Sequence, residues 1–514
     1  MSRTTNSIRN SQIGLLFYFL EMLIGFWSRK VFIDYLGTEI LGLNTTAMNL
    51  LQFLNLAELG IVSAITFKLY KPIANKDKQA INEIISVQGW LYRRIGCFVG
   101  GAALVLMCFF PIIFKKVDLP MWYVYVSFLA FLYSSLLTYF FNYKQIILSA
   151  SQQEYKITIS YKSIHVIKSL LQIFAISHFN NPYEWWLILQ FTMSTIASIN
   201  INRVIKQSFP DLEISIKAGK KLKEKYSIII TKVKQLFFHK IAGFVLSQTS
   251  TLIIYSFTTL SMVGIYGNYT IIINSLTMMF NTAFNGINAS IGHLISVDNT
   301  KTLNVFKELF TLRFLCISTI IFCLYRLLNP FIIVWVGSEY LLSTKTIYVI
   351  LGTAYIMMMR GLVDSFISAY GLFKDIYAPI IEAVLNLPLS ITLGYFYGIT
   401  GVLLGVFISL ICVVFIWKPY FLFKHGIQCN GMFYIKIYMT HILIFVASAF
   451  ISIHLLDLIF PHTIDSYTTF AIQAISTFST MLLIEFAMLY VCTDSIKKIS
   501  KRILILINKK VRKK

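Results

Sequence analysis

The stretch Phe32–Asp77, FIDYLGTEILGLNTTAMNLLQFLNLAELGIVSAITFKLYKPIANKD, starts with an acidic turn at Asp34 and Glu39, continues as a long apolar run, and closes on Lys68, Lys71 and Lys76. The apolar run, at roughly 40–66, is long enough to cross a hydrocarbon core of about 30 Å. The lysines behind it mark a cytoplasmic end, because loops on that side of a membrane hold an excess of Lys and Arg. The same alternation recurs along all 514 residues, of which 57% are hydrophobic and 13% charged. With a mean hydropathy of +0.71, the chain has too little polar surface for a soluble fold.

Working outward, the first six spans fall at roughly 11–34, 40–66, 91–114, 120–148, 158–178 and 184–203. Eight more follow at roughly 239–260, 265–292, 307–331, 344–370, 376–396, 400–422, 436–457 and 466–491. The predicted fold is all-α: a polytopic membrane protein of about 14 helices with both termini cytoplasmic. The basic stretch Lys206–Lys240 divides it into two six-helix lobes plus two C-terminal helices. The expected boundaries are roughly 1–205 and 239–424 for the lobes, 206–238 for the linker, 425–496 for the extra helices and 497–514 for a basic tail. The linker reads as a basic amphipathic helix on the inner membrane surface. Lys418 and Lys424 read as inside loop charges.

A net charge of +23 is mostly this topology signal plus attraction to anionic lipid headgroups, which makes nucleic-acid binding a poor reading. The first apolar run continues into Arg29 and Lys30 without a small-residue cleavage site, as in a signal anchor. The seven cysteines show no pairing pattern and read as small hydrophobes. Gly60–Ile65 and Gly286–Ile291 are weakly alike across a six-span offset, as parallel repeats would be.

Six cations lie inside the apolar runs: Arg29, Lys30, Lys162, Lys168, Arg313 and Arg360. A charge there costs at least a few kcal/mol, so each marks a water-filled cavity, a partner or a polar ligand. Lys162, His165 and Lys168 share about a third of one helix circumference. Lys30 and Lys162 are near enough to span ends to snorkel, whereas Lys168 is deeper. Arg360 and Asp364 are four residues apart and can pair on one face.

Asn274, Asn281, Asn285 and Asn288 fall in a narrow arc of the eighth span, and Asn49, Gln52, Asn55 and Glu58 follow one another at steps of three in the second. Such faces either bond neighbouring helices or line a cavity. Glu21, Glu58, Glu382 and Glu485 are further acids in the spans, able to carry a proton or to pair with the cations. Pro379 and Pro388 around Glu382 suggest a bent eleventh helix.

Phe32–Asp77, Ser151–Tyr155 after the fourth span and the charged tenth span together resemble Wzx-type polysaccharide flippases of the multidrug/oligosaccharidyl-lipid/polysaccharide exporter superfamily. The resemblance implies two six-helix lobes around a central cavity, alternating access, and a cavity lined with basic residues. It implies an undecaprenyl-pyrophosphate-linked oligosaccharide repeat unit as cargo, moved from the cytoplasmic to the periplasmic leaflet of the bacterial inner membrane for capsule or O-antigen assembly. Coupling to a proton or sodium gradient, with no cofactor, is part of that picture, as are membrane lipids and a polysaccharide polymerase with its chain-length machinery as partners.

Charge suits that cargo, since a pyrophosphate crossing a low-dielectric region needs cations and arginine suits bidentate phosphate contact. Arg29, Lys162, Lys168, Arg313 and Arg360 are the expected substrate-binding cations, and Asn274, Asn281, Asn285 and Asn288 the expected sugar contacts. Glu58, Asp364 and Glu382 are the ion-coupling candidates. A lipid II flippase would share the span plan and a cationic cavity. A multidrug exporter would need acids for cationic substrates, and a polymerase or glycosyltransferase would need larger outer loops than these. No P-loop, metal cluster or nucleophile motif marks an enzyme.

Overall fold

Helices occupy the apolar runs, because in lipid each backbone N–H and C=O must be satisfied within its own segment. The computed structural model describes residues 3–58, 61–115, 117–227, 249–285, 291, 295, 302–372, 377–460 and 466–501, and among these no strand occurs. The long helices are α1 (Arg3–Leu54), α2 (Ile61–Asn75), α3 (Lys78–Cys108), α4 (Met121–Phe140), α5 (Ser163–His178) and α6 (Pro182–Ser208). After them come α7 (Leu260–Asn285), α8 (Thr302–Trp335), α9 (Thr344–Ala369), α10 (Tyr377–Leu410), α11 (Met432–Ile459) and α12 (Tyr467–Cys492). The chain is a polytopic all-α membrane protein, and seven of its described helices are long and apolar enough to cross a bilayer on length and composition alone.

Several helix starts are written in local chemistry. Asp77 and Ser343 accept from the backbone N–H groups of Ala80 and Thr346, and Ser466 and Thr469 form a reciprocal cap at the start of α12. Two spans meet at a single glycine in two places. Gly37 (φ 79°, ψ 170°) interrupts α1 between the first and second spans, and Gly398 (φ 57°, ψ −137°) does the same in α10. Both dihedral pairs are open to glycine and strained for other residues.

Beyond Gly398 the two arms of α10 touch closely. A Cβ at Gly401 would lie 1.9 Å from the Leu393 carbonyl oxygen, and one at Gly405 2.4 Å from the Ser390 nitrogen. Small residues there let the backbones meet, and the Ser390 hydroxyl donates to the Val402 carbonyl at 3.0 Å. Pro388 sits inside α10 without leaving helical dihedrals, and Gly398 falls in the gap between the eleventh and twelfth predicted spans.

The chain divides into two compact units, Met1–Gly264 and Ile265–Lys514. In the first, Phe32, Ile40, Ala130, Ile176, Tyr183, Trp186 and Leu187 form a buried cluster, with the Tyr123 and Tyr183 rings stacked at 5.0 Å. In the second, Phe306, Phe310, Phe314, Phe366, Phe423, Tyr434 and Tyr438 are its aromatic core. Large apolar side chains also lie on the outside of α11 and α12, among them Leu443, Leu458, Ile475 and Leu483. Such faces suit a lipid solvent, where there is no water to avoid.

Two readings of basic residues change. The described part of the linker contains a short helix, Ile216–Leu222, set against α3 rather than free for the membrane surface. Gly219 permits this, since a Cβ there would meet the Ser86 carbonyl oxygen at 2.1 Å, and Lys225 and Tyr226 both donate to Glu83. Lys418 is a buried helical residue and not a loop charge. The helix runs through a π-helical turn at Ile411–Trp417 and, past the apolar run, another at Phe423–Ile427, each of which inserts extra backbone and turns the side chains that follow. Residues 239–248 of the seventh span, and residues 286–290 of the repeat-like pair, Asn288 among them, lie outside the described residues, as does the side chain of Asn285.

Candidate functional site

In the first unit, α5 carries the Lys162–His165–Lys168 face, and a π-helical turn at Thr158–Lys162 leads into it. This turn shifts the backbone register, and Asn200 on α6 donates to the Ser160 carbonyl at 2.8 Å. Lys162 reaches Glu21 on α1 at 2.8 Å, with both side chains partly exposed, and is thereby neutralised. Lys168 goes elsewhere: its ammonium donates to the Gln190 carbonyl oxygen on α6 at 2.8 Å. Gln190 is itself buried and held by Ser134, which also bonds Ser194. The ring of His165 lies 4.7 Å from that of Tyr161.

On α1 the adjacent cations diverge, as neighbours about 100° apart must. Lys30 turns to Asp34 at 3.4 Å, an exposed pair, while Arg29 donates to the carbonyl of Gly264 at 2.9 Å. The second-span polar stripe is interhelical glue at its far end. Asn55 accepts from Ser135 at 3.1 Å and Tyr139 at 2.9 Å, and Glu58 accepts from the Tyr92 hydroxyl at 2.8 Å.

In the second unit, Arg313 on α8 is buried, 4% exposed. Its Nε donates to the Met358 carbonyl at 2.9 Å, and its Nη2 donates to the same oxygen and, at 3.0 Å, to the Asn281 carbonyl oxygen on α7. The guanidinium lies over the Phe280 and Phe284 rings at 4.9 and 5.2 Å. Gly361 makes room for it, since a Cβ there would lie 2.5 Å from Nη2. Among the described residues neither Arg313 nor Lys168 pairs with a carboxylate. Each is a positive charge hydrogen-bonded to neutral oxygens, so a direct charged bond is left for an anion to make.

Arg360, on the helix that also supplies Met358, has the opposite surroundings. Its Nε donates to Asp364 at 2.9 Å, its Nη1 lies 3.5 Å from Glu382, and Lys418 donates to the other Asp364 oxygen at 2.6 Å. Two cations and two carboxylates form a neutral quartet across α9, α10 and the helical turn beyond it. Glu382 is fully buried and its contact with Arg360 is Coulombic, outside hydrogen-bond geometry. The sequence supplies Arg360, Asp364 and Glu382, but Lys418 was assigned to a loop because it follows an apolar run. Glu485 on α12 is also fully buried and accepts from the Ser318 hydroxyl at 2.6 Å.

Of the asparagine arc, Asn281 joins the Arg313 site, whereas Asn274 is exposed. The carbonyl of Asn281, an expected sugar contact, accepts from the guanidinium and helps orient it. Gln190, which holds Lys168, was not singled out in the sequence. Its only local signal is an amide within an apolar helix.

No family model matches the sequence, and no curated protein does. Solved structures do resemble it. A lipid II flippase, MurJ, in an inward closed conformation superposes with a TM-score of 0.66 at 13% identity, over 92% of this chain and 98% of that one. An inward-facing multidrug resistance MATE family transporter of the MOP superfamily gives 0.56 at 12%, over 79% and 96%. The Vibrio cholerae MATE transporter VcmN gives 0.50 at 14%, over 83% and 99%. The chain therefore has the fold shared by this flippase and these transporters.

Proposed function

We propose that this protein is a flippase for undecaprenyl-pyrophosphate-linked oligosaccharides, moving repeat units from the cytoplasmic to the periplasmic leaflet of a bacterial inner membrane by alternating access. The observation that carries this reading is the state of Lys168, half-buried, and Arg313, buried, cations bonded to Gln190, Asn281 and a backbone carbonyl and, among the described residues, not to an acid. Taking a cation out of water is unfavourable unless an anion completes its site, and a pyrophosphate supplies that anion only while cargo is present. Arg29, bonded to the Gly264 carbonyl, is a further cargo cation of the first unit in this reading. Arginine can grip two phosphate oxygens at once, whereas lysine acts as a point charge.

The neutral quartet supports the same choice from the other side. A transporter for cationic drugs needs a carboxylate open to substrate, and here Asp364 and Glu382 are already committed to Arg360 and Lys418. Asp364, Glu382 and Glu58 serve as ion-coupling groups in this reading, with capsule or O-antigen assembly as the destination and a polymerase with its chain-length machinery as partners.

A second reading, a lipid II flippase, is favoured by the MurJ likeness and makes the same demand for buried cations. Proteoliposomes loaded with either labelled lipid-linked oligosaccharide or lipid II separate the two. Transport of the oligosaccharide, lost in Lys168→Gln and Arg313→Gln, is expected. Transport of lipid II alone replaces the repeat-unit reading, and unchanged transport in both variants overturns the cationic mechanism.

A further inference from the structure

A cavity of about 370 Å³ opens within the second unit, among α8, α9, α11 and α12 and away from Arg313 and the quartet in the sequence of every helix it touches. Its polar and aromatic lining comes from Tyr325, Arg326 and Asn329 on α8, Tyr348 on α9, Asp457 on α11 and Gln473 on α12. These residues fall near the end of the ninth and thirteenth spans and the start of the tenth and fourteenth, which is the periplasmic side in the positive-inside reading.

The chemistry of this lining differs from that of the buried cations. Arg326 and Asp457 pair at 2.8 Å through one nitrogen and one oxygen, so the site is neutral but keeps further N–H donors and a carboxylate oxygen. Asn329 accepts from the Tyr269 hydroxyl at 3.0 Å, which leaves its amide N–H groups as what it can offer. Gln473 adds a second amide. Tyr325 and Tyr348 are about half exposed, at 46% and 53%, and their rings are stacked at 6.2 Å with 25° between planes. Planar amides and an ion pair suit hydroxyl groups, aromatic faces suit the C–H face of a pyranose, and the volume is at the small end of ligand pockets. An anionic headgroup is a poorer fit, because Asp457 cancels the charge of Arg326.

We infer that this cavity is a carbohydrate-binding pocket for a neutral mono- or disaccharide on the periplasmic side. Its sugar comes either from translocated lipid-linked oligosaccharide or from free glycan. The periplasmic placement and the first of those sources rest on the flippase reading, while saccharide binding itself does not.

The test uses the full-length protein in nanodiscs and saturation-transfer NMR with glucose, galactose, N-acetylglucosamine, N-acetylgalactosamine, lactose and N,N′-diacetylchitobiose. Glycerophosphoglycerol serves as the lipid-headgroup probe. At least one sugar is expected to bind with a Kd of about 1 mM or tighter. Tyr348→Ala and Gln473→Leu should each weaken it about tenfold or more, and Lys30→Gln, at an exposed pair in the first unit, should leave it unchanged. No sugar binding, binding indifferent to both pocket substitutions, or binding of the headgroup probe alone overturns the proposal. If sugar binds here while lipid-linked oligosaccharide is not transported, the pocket stands and the flippase reading falls. Protection from a membrane-impermeant probe at Tyr348→Cys by bound free sugar, compared with that by lipid-linked oligosaccharide, separates the two sources.

Discussion

Arg313 and Arg360 are both arginines within apolar spans, and α9 touches both, yet they are balanced by different means. Arg313 is held by one backbone carbonyl, one amide and two aromatic faces, whereas Arg360 is part of a closed set of two cations and two carboxylates. A residue whose charge is already answered has little field to spare for cargo. One whose charge is held only by dipoles retains a field that a mobile anion can use.

The contrast makes its largest prediction at the quartet. Arg360→Met leaves Glu382 buried without its cation, and removing one member of a buried pair costs about 3–5 kcal/mol. Thermal unfolding of the detergent-solubilised protein should show that loss, and the double substitution Arg360→Met/Glu382→Leu should recover much of it. A quartet that tolerates the single change would mean its charges are independent.

Next in size is Arg313→Met, which unmakes hydrogen bonds to Met358 and Asn281 and should cost about 1–3 kcal/mol of stability. Its main effect is expected on translocation, with at least a tenfold fall, about 1.4 kcal/mol. Arg313→Lys keeps the charge but loses the fork, so its rate should lie between the two; a rate equal to that of Arg313→Met would show that geometry matters more than charge.

Gly361→Ala sharpens the comparison further. The added Cβ meets only the end of the Arg313 side chain, which can move, so the fold should hold while the guanidinium is displaced. Translocation falling with little change in unfolding temperature is the expected result, and an unfolding loss as large as that of Arg360→Met would place Gly361 in the fold instead. The smallest effect belongs to Lys162→Gln: a partly exposed pair with Glu21 contributes about 0–1 kcal/mol, so both stability and transport should stay near wild type. A tenfold transport loss there would return Lys162 to the substrate site.

Much of this was legible in the chain. Lys168 and Arg313 stood out by their depth within apolar runs, and the Arg360–Asp364 pair by its spacing of four. The partner of Lys418 is not legible, because hydropathy places that lysine at the inner end of the twelfth span and cannot register that the π-helical turn before it aims it at Asp364. Gln190 was hidden for a related reason: an amide in a membrane helix gives no sign of which neighbour it will meet. Asn281 is legible as a polar face, but its bond to Arg313 is not, since periodicity assigns a face and not the atom that will use it.

The sequence by itself determined the all-α membrane class and the helices that hold the buried charges, because burying a backbone in lipid enforces helix and runs of apolar residues record where that happens. Glycines at 37 and 398 decided where spans could turn without a long loop. Which cations are neutralised and which remain answered only by dipoles was decided by tertiary structure alone. Coulomb pairing depends on distances of a few ångströms between residues far apart in the chain, and the 54 residues separating Asp364 from Lys418 carry no trace of the 2.6 Å at which they meet.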